Sequence, residues 1–271
     1  MNAASSRGFT LVELLVSMVL LGVVTGSVTS AALSAVRAAD RSRERARQES
    51  MLREVAAVVE REVSDVAPAR DIAGFAAESV TYRAGRGSGY TCGVEGGAVV
   101  VRDADYRAWR LPDPGRDSLL VFLPGDSLSG PGIWAISPLL APLARGHCRD
   151  GAPGLRLALD PALVARASGS DFPVRVFEWM RMRLYESGGS WWVGARSLRP
   201  GDVIQPIAGP LGARGLTLGW LDGAANVAAP ANARLLQLRL VAAVPLAAGH
   251  GRGTALDTLR ATVALRNGGV P

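Results

Sequence analysis

Charged side chains stop after Glu13 and do not return until Arg37, so the stretch from Leu14 through Val36 is uncharged throughout. Wound as a helix it is about 34 Å long, enough to cross a hydrocarbon layer of roughly 30 Å. Beyond Arg37 the periodicity changes character. Leu52, Val55, Val59, Val63 and Val66 recur at steps of three and four with charged residues between them. This predicts an amphipathic continuation of the helix, with one apolar stripe, an exposed Glu49–Arg53 pair at i, i+4 spacing and a stop near Val66, ahead of Pro68.

Strand patterns follow. The runs 98–101 and 118–123 are short, apolar and bounded by Gly, Pro or Asp. Residues 180–184 alternate apolar and basic and are followed by Gly188-Gly189 and Trp191-Trp192-Val193, which predicts a hairpin. The two-residue period returns at 236–240 and 259–265. Gly- and Pro-rich stretches at 85–97, 124–142 and 223–230 are expected loops, and none shows a composition shift that would separate a second domain. The expectation is an α+β protein: a long N-terminal helix, its first half spanning a membrane and its second half packed on an antiparallel sheet.

The chain has 271 residues, 48% of them hydrophobic and 20% charged, which suits one globular core plus one membrane-type segment. Its net charge of +6 comes from 30 basic residues, all of them arginine. They are scattered rather than gathered with aromatics into one groove, so the charge is better explained by coding-sequence composition, and no nucleic-acid partner is expected. Cys92 and Cys148 stand far apart, without metal-ligand spacing. Two readings are open for them. They could be buried thiols, or they could pair, closing a loop of about 57 residues and stabilising it by roughly 4 kcal/mol.

Glu13 changes the picture at the N-terminus. A secretory signal peptide has a shorter apolar region and carries no acid inside it. A carboxylate at the edge of a membrane segment costs a few kcal/mol unless it finds a partner. It could snorkel to headgroup water, or it could meet a cation. Cutting the chain between Gly8 and Phe9 would create an amino group four positions upstream. Arg7-Gly8-Phe9-Thr10-Leu11-Val12-Glu13-Leu14-Leu15 closely resembles the N-terminal signature of type IV prepilins and type II secretion pseudopilins. The resemblance implies a pilin-like fold, with a leader of residues 1–8, an assembly and transmembrane helix of residues 9–36 and a periplasmic domain of residues 37–271. Within that domain residues 37–66 would form the amphipathic helix, and residues 67–271 would be β-rich.

It implies further that a prepilin peptidase cleaves after Gly8 and that the new amine of Phe9 is N-methylated. Glu13, at the fifth mature position, would pair with the terminal amine of a neighbouring subunit. The chain would sit in the bacterial inner membrane with its N-terminus cytoplasmic, then move to a filament tip. Here charge and resemblance disagree, because Arg37, Arg41, Arg43, Arg45 and Arg47 crowd the far side of the span and only Arg7 precedes it, the reverse of the usual bias.

The chain's size, with Glu13 retained, is similar to the large minor subunits, the J-type pseudopilin or the W-type minor pilin. The closing run 259–267 resembles the W-type pattern. Such subunits form a tip complex that primes assembly of a secretion pseudopilus or a type IV pilus. Implied partners are other minor and major pilins or pseudopilins, the prepilin peptidase, the inner-membrane assembly platform and membrane lipid. No enzyme is expected. The histidines are isolated, His147 and His250; there is no metal-binding or nucleophile motif, and the lack of lysine excludes a P-loop, so neither cofactor nor metal is called for. His147 beside Cys148 fits a loop histidine better than a thiolate site. Two alternatives stay open: a filament-associated DNA-uptake or adhesion module using arginines such as Arg83, Arg86 and Arg145, and a signal-anchored periplasmic binding protein.

Overall fold

The computed structural model describes residues 10–123, 132–167, 171–245 and 254–265. Contacts divide the chain into two compact units, Met1–Ser50 and Met51–Pro271. Helix α1 covers Leu11–Val63 and is followed by a single turn, α2, at Pro68–Asp71. Then come β1 (Ile72–Ala76), β2 (Ser79–Glu95), β3 (Ala98–Arg102), β4 (Arg107–Ala108), β5 (Asp117–Leu123), β6 (Ile133–Pro138), β7 (Ala144–His147) and β8 (Pro153–Leu157). A short helix α3 (Pro161–Ala167) leads to β9 (Pro173–Ser187), β10 (Ser190–Ser197), β11 (Gln205–Leu211), β12 (Leu216–Leu221), β13 (Leu235–Pro245) and β14 (Thr254–Ala264). The architecture is α+β and pilin-like: a long N-terminal apolar helix followed by an antiparallel sheet domain.

In the first unit the helix buries nothing. Every described side chain from Thr10 to Ala46 is exposed, including Leu15 at 59% and Leu21 at 67%. Several of its hydroxyls are satisfied locally, with Ser17 donating to the Glu13 carbonyl, Ser27 to Val23 and Thr29 to Thr25 at 2.7–2.8 Å. Such back-bonding gives these donors a partner that an apolar surrounding would not supply.

The second unit is dense. Its largest sheet runs β11-β10-β9-β2-β3-β8-β7, with β1 and β4 added along β2 and the β5–β6 hairpin joined to β9; β12-β13-β14 form a second sheet. All of these pairs are antiparallel. The helical stripe Leu52, Val55, Val59 and Val63 is at most 2% exposed and packs into a core with Tyr82, Met182, Val193, Leu236, Leu238 and their neighbours. A second core gathers Val99, Val101, Leu119, Val121, Leu157 and Val174, capped by Val164 of α3. Residues three and four apart share a helix face, and alternate strand residues share a sheet face, which is why these patterns meet as they do.

Three expectations change. The helix stops at Val63, one turn before Val66, and Pro68 opens α2 at its first position, where a missing N–H costs nothing. The expected loop at 85–97 is mostly strand β2. Its glycines serve close approach: a Cβ on Gly87 would lie 2.6 Å from the Tyr106 hydroxyl, and one on Gly89 would lie 2.6 Å from Val101. The turn itself is confined to Gly96 and Gly97, whose φ values of 57° and 72° suit glycine. Of the expected loop at 124–142, residues Ile133–Pro138 form β6, paired to β5 over its whole length. The hairpin at Gly188-Gly189 is built, with φ of 61° and 74° at its two central residues, the sign a two-residue hairpin turn demands.

Candidate functional site

The expected cleavage and methylation site, Gly8 and Phe9, lies outside the described residues, as do His250 and the end of the closing run, Arg266-Asn267. The description begins at Thr10, one residue before α1, and there Glu13 has a definite geometry. Its Oε2 accepts from the Thr10 backbone N–H at 3.2 Å and from the Thr10 hydroxyl at 3.1 Å. In return the Glu13 N–H donates to Thr10 Oγ1 at 3.3 Å. This is a capping box: two otherwise orphaned N–H groups of the first helical turn are satisfied by reciprocal side chains. The carboxylate also sits at the positive end of the peptide dipoles. Glu13 is exposed and anchored to Thr10, the first described residue. The sequence carried this signal as Thr10-x-x-Glu13, and the reading of Glu13 as an amine-seeking acid passed over it.

At the other end of the same unit the basic cluster is partly answered by its own acids. Arg43 lies 3.2 Å from Asp40 and Arg47 3.9 Å from Glu44, all on exposed positions where such pairs contribute little.

In the second unit the structure joins Cys92 to Cys148, with Cα atoms 5.0 Å apart, tying β2 to the turn after β7. Both lie against Val100 of β3. Cys148 thus has no thiolate for His147 to activate.

The three loop arginines singled out as DNA contacts turn out to be occupied. Arg145 lies 2.7 Å from Asp103. Arg83 donates to Asp71 at 3.3 Å and lies over the rings of Phe177 and Trp179, 4.9 and 4.8 Å from their centroids. Arg86 donates to Glu178 at 3.0 Å. All three also lie in strands rather than loops, Arg83 and Arg86 in β2 and Arg145 in β7.

Glu178 is the centre of a network that sequence gave no sign of. Besides Arg86, Arg110 reaches its Oε2 at 3.1 Å, and Arg116 Nε lies 2.9 Å from Oε1, close enough for ion pairing though not aligned as a hydrogen bond. Arg110 also forks onto Asp117 at 2.6 and 2.7 Å, and Arg116 reaches Asp202 at 2.6 Å. Burial pushes the Glu178 carboxyl up, but hydrogen bonds from Ser197, Arg86 and Arg110 and the charge of Arg116 outweigh it, leaving the acid below its ordinary range. Nearby, the Tyr82 hydroxyl donates to Glu62 at 2.8 Å. Burial and the Glu62 charge hold the phenol well above its usual value.

Residues 4–29 match the family model described as the prokaryotic N-terminal methylation motif. No curated protein and no solved structure matches the chain. The matched segment contains Gly8, Phe9, Thr10 and Glu13 and extends into the exposed apolar helix. The chain is therefore prepilin-like: it carries the motif of subunits that a prepilin peptidase processes and that assemble with other pilins in a pilus or pseudopilus. Its single apolar N-terminal helix fits a membrane anchor.

Proposed function

We propose that this chain is a minor pilin or pseudopilin, a structural subunit of a tip complex that primes assembly of a type II secretion pseudopilus or a type IV pilus. In this reading residues 1–8 are a leader removed after Gly8, Phe9 is the methylated mature N-terminus, residues 9–36 cross the inner membrane and residues 37–271 form the periplasmic domain. The observation that carries it is the N-terminus itself: a methylation motif whose one acid is held at the helix start, on a helix whose apolar residues from Leu11 to Val36 are all exposed. An exposed apolar face that long needs lipid or other helices around it. Glu13 then supplies register, because an amine and a carboxylate in an apolar surround attract strongly and tolerate no mismatch.

Moving into the filament would exchange the Thr10 cap for the amine of a neighbour. The exchange swaps neutral donors for a charged one, and charge-assisted bonds are the stronger kind.

Two measurements test this. Intact mass of the protein from a peptidase-competent host should show residues 1–8 gone and one methyl group added; an intact leader would favour a signal-anchored binding protein. In cells, Glu13→Ala should abolish crosslinking of the subunit into filaments while leaving its membrane level unchanged, and wild-type incorporation would refute the pairing. Copurification of other prepilin-like minor subunits, followed by their identification, would decide between secretion pseudopilus and pilus.

A further inference from the structure

Strand register brings two arginines and a serine into one row. Arg107 of β4 pairs with Ser88 of β2, and Ser88 pairs in turn with Arg175 of β9. Directly opposed residues of antiparallel strands present their side chains on the same face, about 5 Å from one strand to the next. Two guanidinium stems therefore flank one hydroxyl, and all three residues are exposed and line a cleft of about 700 Å³ within the second unit.

These two arginines differ from Arg83, Arg86, Arg110, Arg116 and Arg145, which all meet acids. Among the described residues neither has a carboxylate partner: Arg107 donates to the carbonyls of Ala104 and Tyr106, and Arg175 stacks over Trp134 at 5.3 Å. Like charges two strands apart repel. Arg83 adds a third cation to the cleft; its Nε is buried without a partner, and burial lowers its basicity despite Asp71. The floor is open, since a Cβ on Gly85 would touch nothing within 4 Å. Trp109, 74% exposed, offers an apolar ledge in the same lining.

The lining also carries the acids Glu62, Asp65 and Asp71, together with Arg70, which is paired with Asp71. A polyanion such as a nucleic-acid strand would bring phosphates against these carboxylates. A peptide carries isolated carboxylates that the arginines can hold without setting a continuous line of phosphates against those acids, and guanidinium forks match carboxylates in shape.

We propose that this cleft binds an acidic peptide segment, one carboxylate of which is held between Arg107 and Arg175 beside the Ser88 hydroxyl. The inference rests on the second unit alone and stands whether or not the assembly reading does.

The test is fluorescence anisotropy with the full chain in neutral detergent, using a labelled, acetylated octapeptide carrying three aspartates, its asparagine counterpart and a single-stranded oligonucleotide. The acidic peptide should bind, weaken as salt rises, and lose at least tenfold in affinity in the double variant Arg107→Gln, Arg175→Gln. The asparagine peptide should bind at least tenfold more weakly. Both positions are exposed, so an unchanged thermal transition will show that the double variant still folds. Failure of the acidic peptide to bind, equal binding of the asparagine peptide, an unaffected double variant, or tighter binding of the oligonucleotide would each overturn the proposal.

Discussion

Leu21 and Leu236 are the same side chain in opposite circumstances: one is 67% exposed on the first unit's helix, the other 0% exposed in the core of the second. Around Leu21 every neighbour within the unit is as bare as it is; around Leu236 two sheets and a helical stripe close. Burying a leucine is worth about 2 kcal/mol wherever it happens. The second unit has already realised that gain within one chain, and the first holds it in reserve for lipid or for other chains. Stability and assembly are thus carried by different parts of the molecule.

The largest expected effect on that contrast comes from the covalent tie. Replacing Cys92 and Cys148 with serine should cost the second unit roughly 4 kcal/mol, read as a lower denaturation midpoint, and should leave membrane association of the first unit unchanged. Two free thiols in the unfolded, unreduced protein would remove the premise.

Next, Leu236→Ala should cost about 3 kcal/mol by cavity formation. Leu21→Ala should leave the thermal transition of the second unit where it is. If both variants shifted it alike, the division of labour would be wrong.

Glu178→Gln should cost about 2 kcal/mol at neutral pH, since three arginines lose their shared charge. Glu178 is more acidic folded than unfolded, so its contribution is fully present above the unfolded carboxylate range and is lost as pH falls through the lower folded value. The wild-type advantage over Glu178→Gln should therefore be constant near neutrality and shrink below about pH 4. An advantage that grew on acidification would contradict the network's sign.

The smallest effect is at the helix start. Thr10→Ala should destabilise the first turn of α1 by about 1 kcal/mol, seen as faster amide exchange at residues 11–13 in micelles, with no change elsewhere.

How far the sequence carried depends on the range over which each feature acts. Long periodic stretches were legible: the apolar run after Glu13, the stripe from Leu52 to Val63 and the two-residue alternation of β9 and β13 appear as helix and strands. Composition misled over 85–95, where Gly87 and Gly89 admit Tyr106 and Val101 rather than mark a turn; partners 12 to 19 residues away cannot be read from local propensity. The scattered arginines looked like background, and several are paired with acids far away in sequence, in combinations such as Arg86 with Glu178 that only register defines.

The sequence by itself determined the functional end of this protein. A short motif, one acid and an unbroken apolar run act through local geometry, hydrogen bonds within a single helical turn and simple length, none of which needs the rest of the chain. The tertiary structure alone decided which charges are spent and which are free. Neutralising Arg86 and leaving Arg107 and Arg175 unanswered depends on the pairing of strands far apart in sequence, and a one-residue slip would turn those side chains to the opposite face.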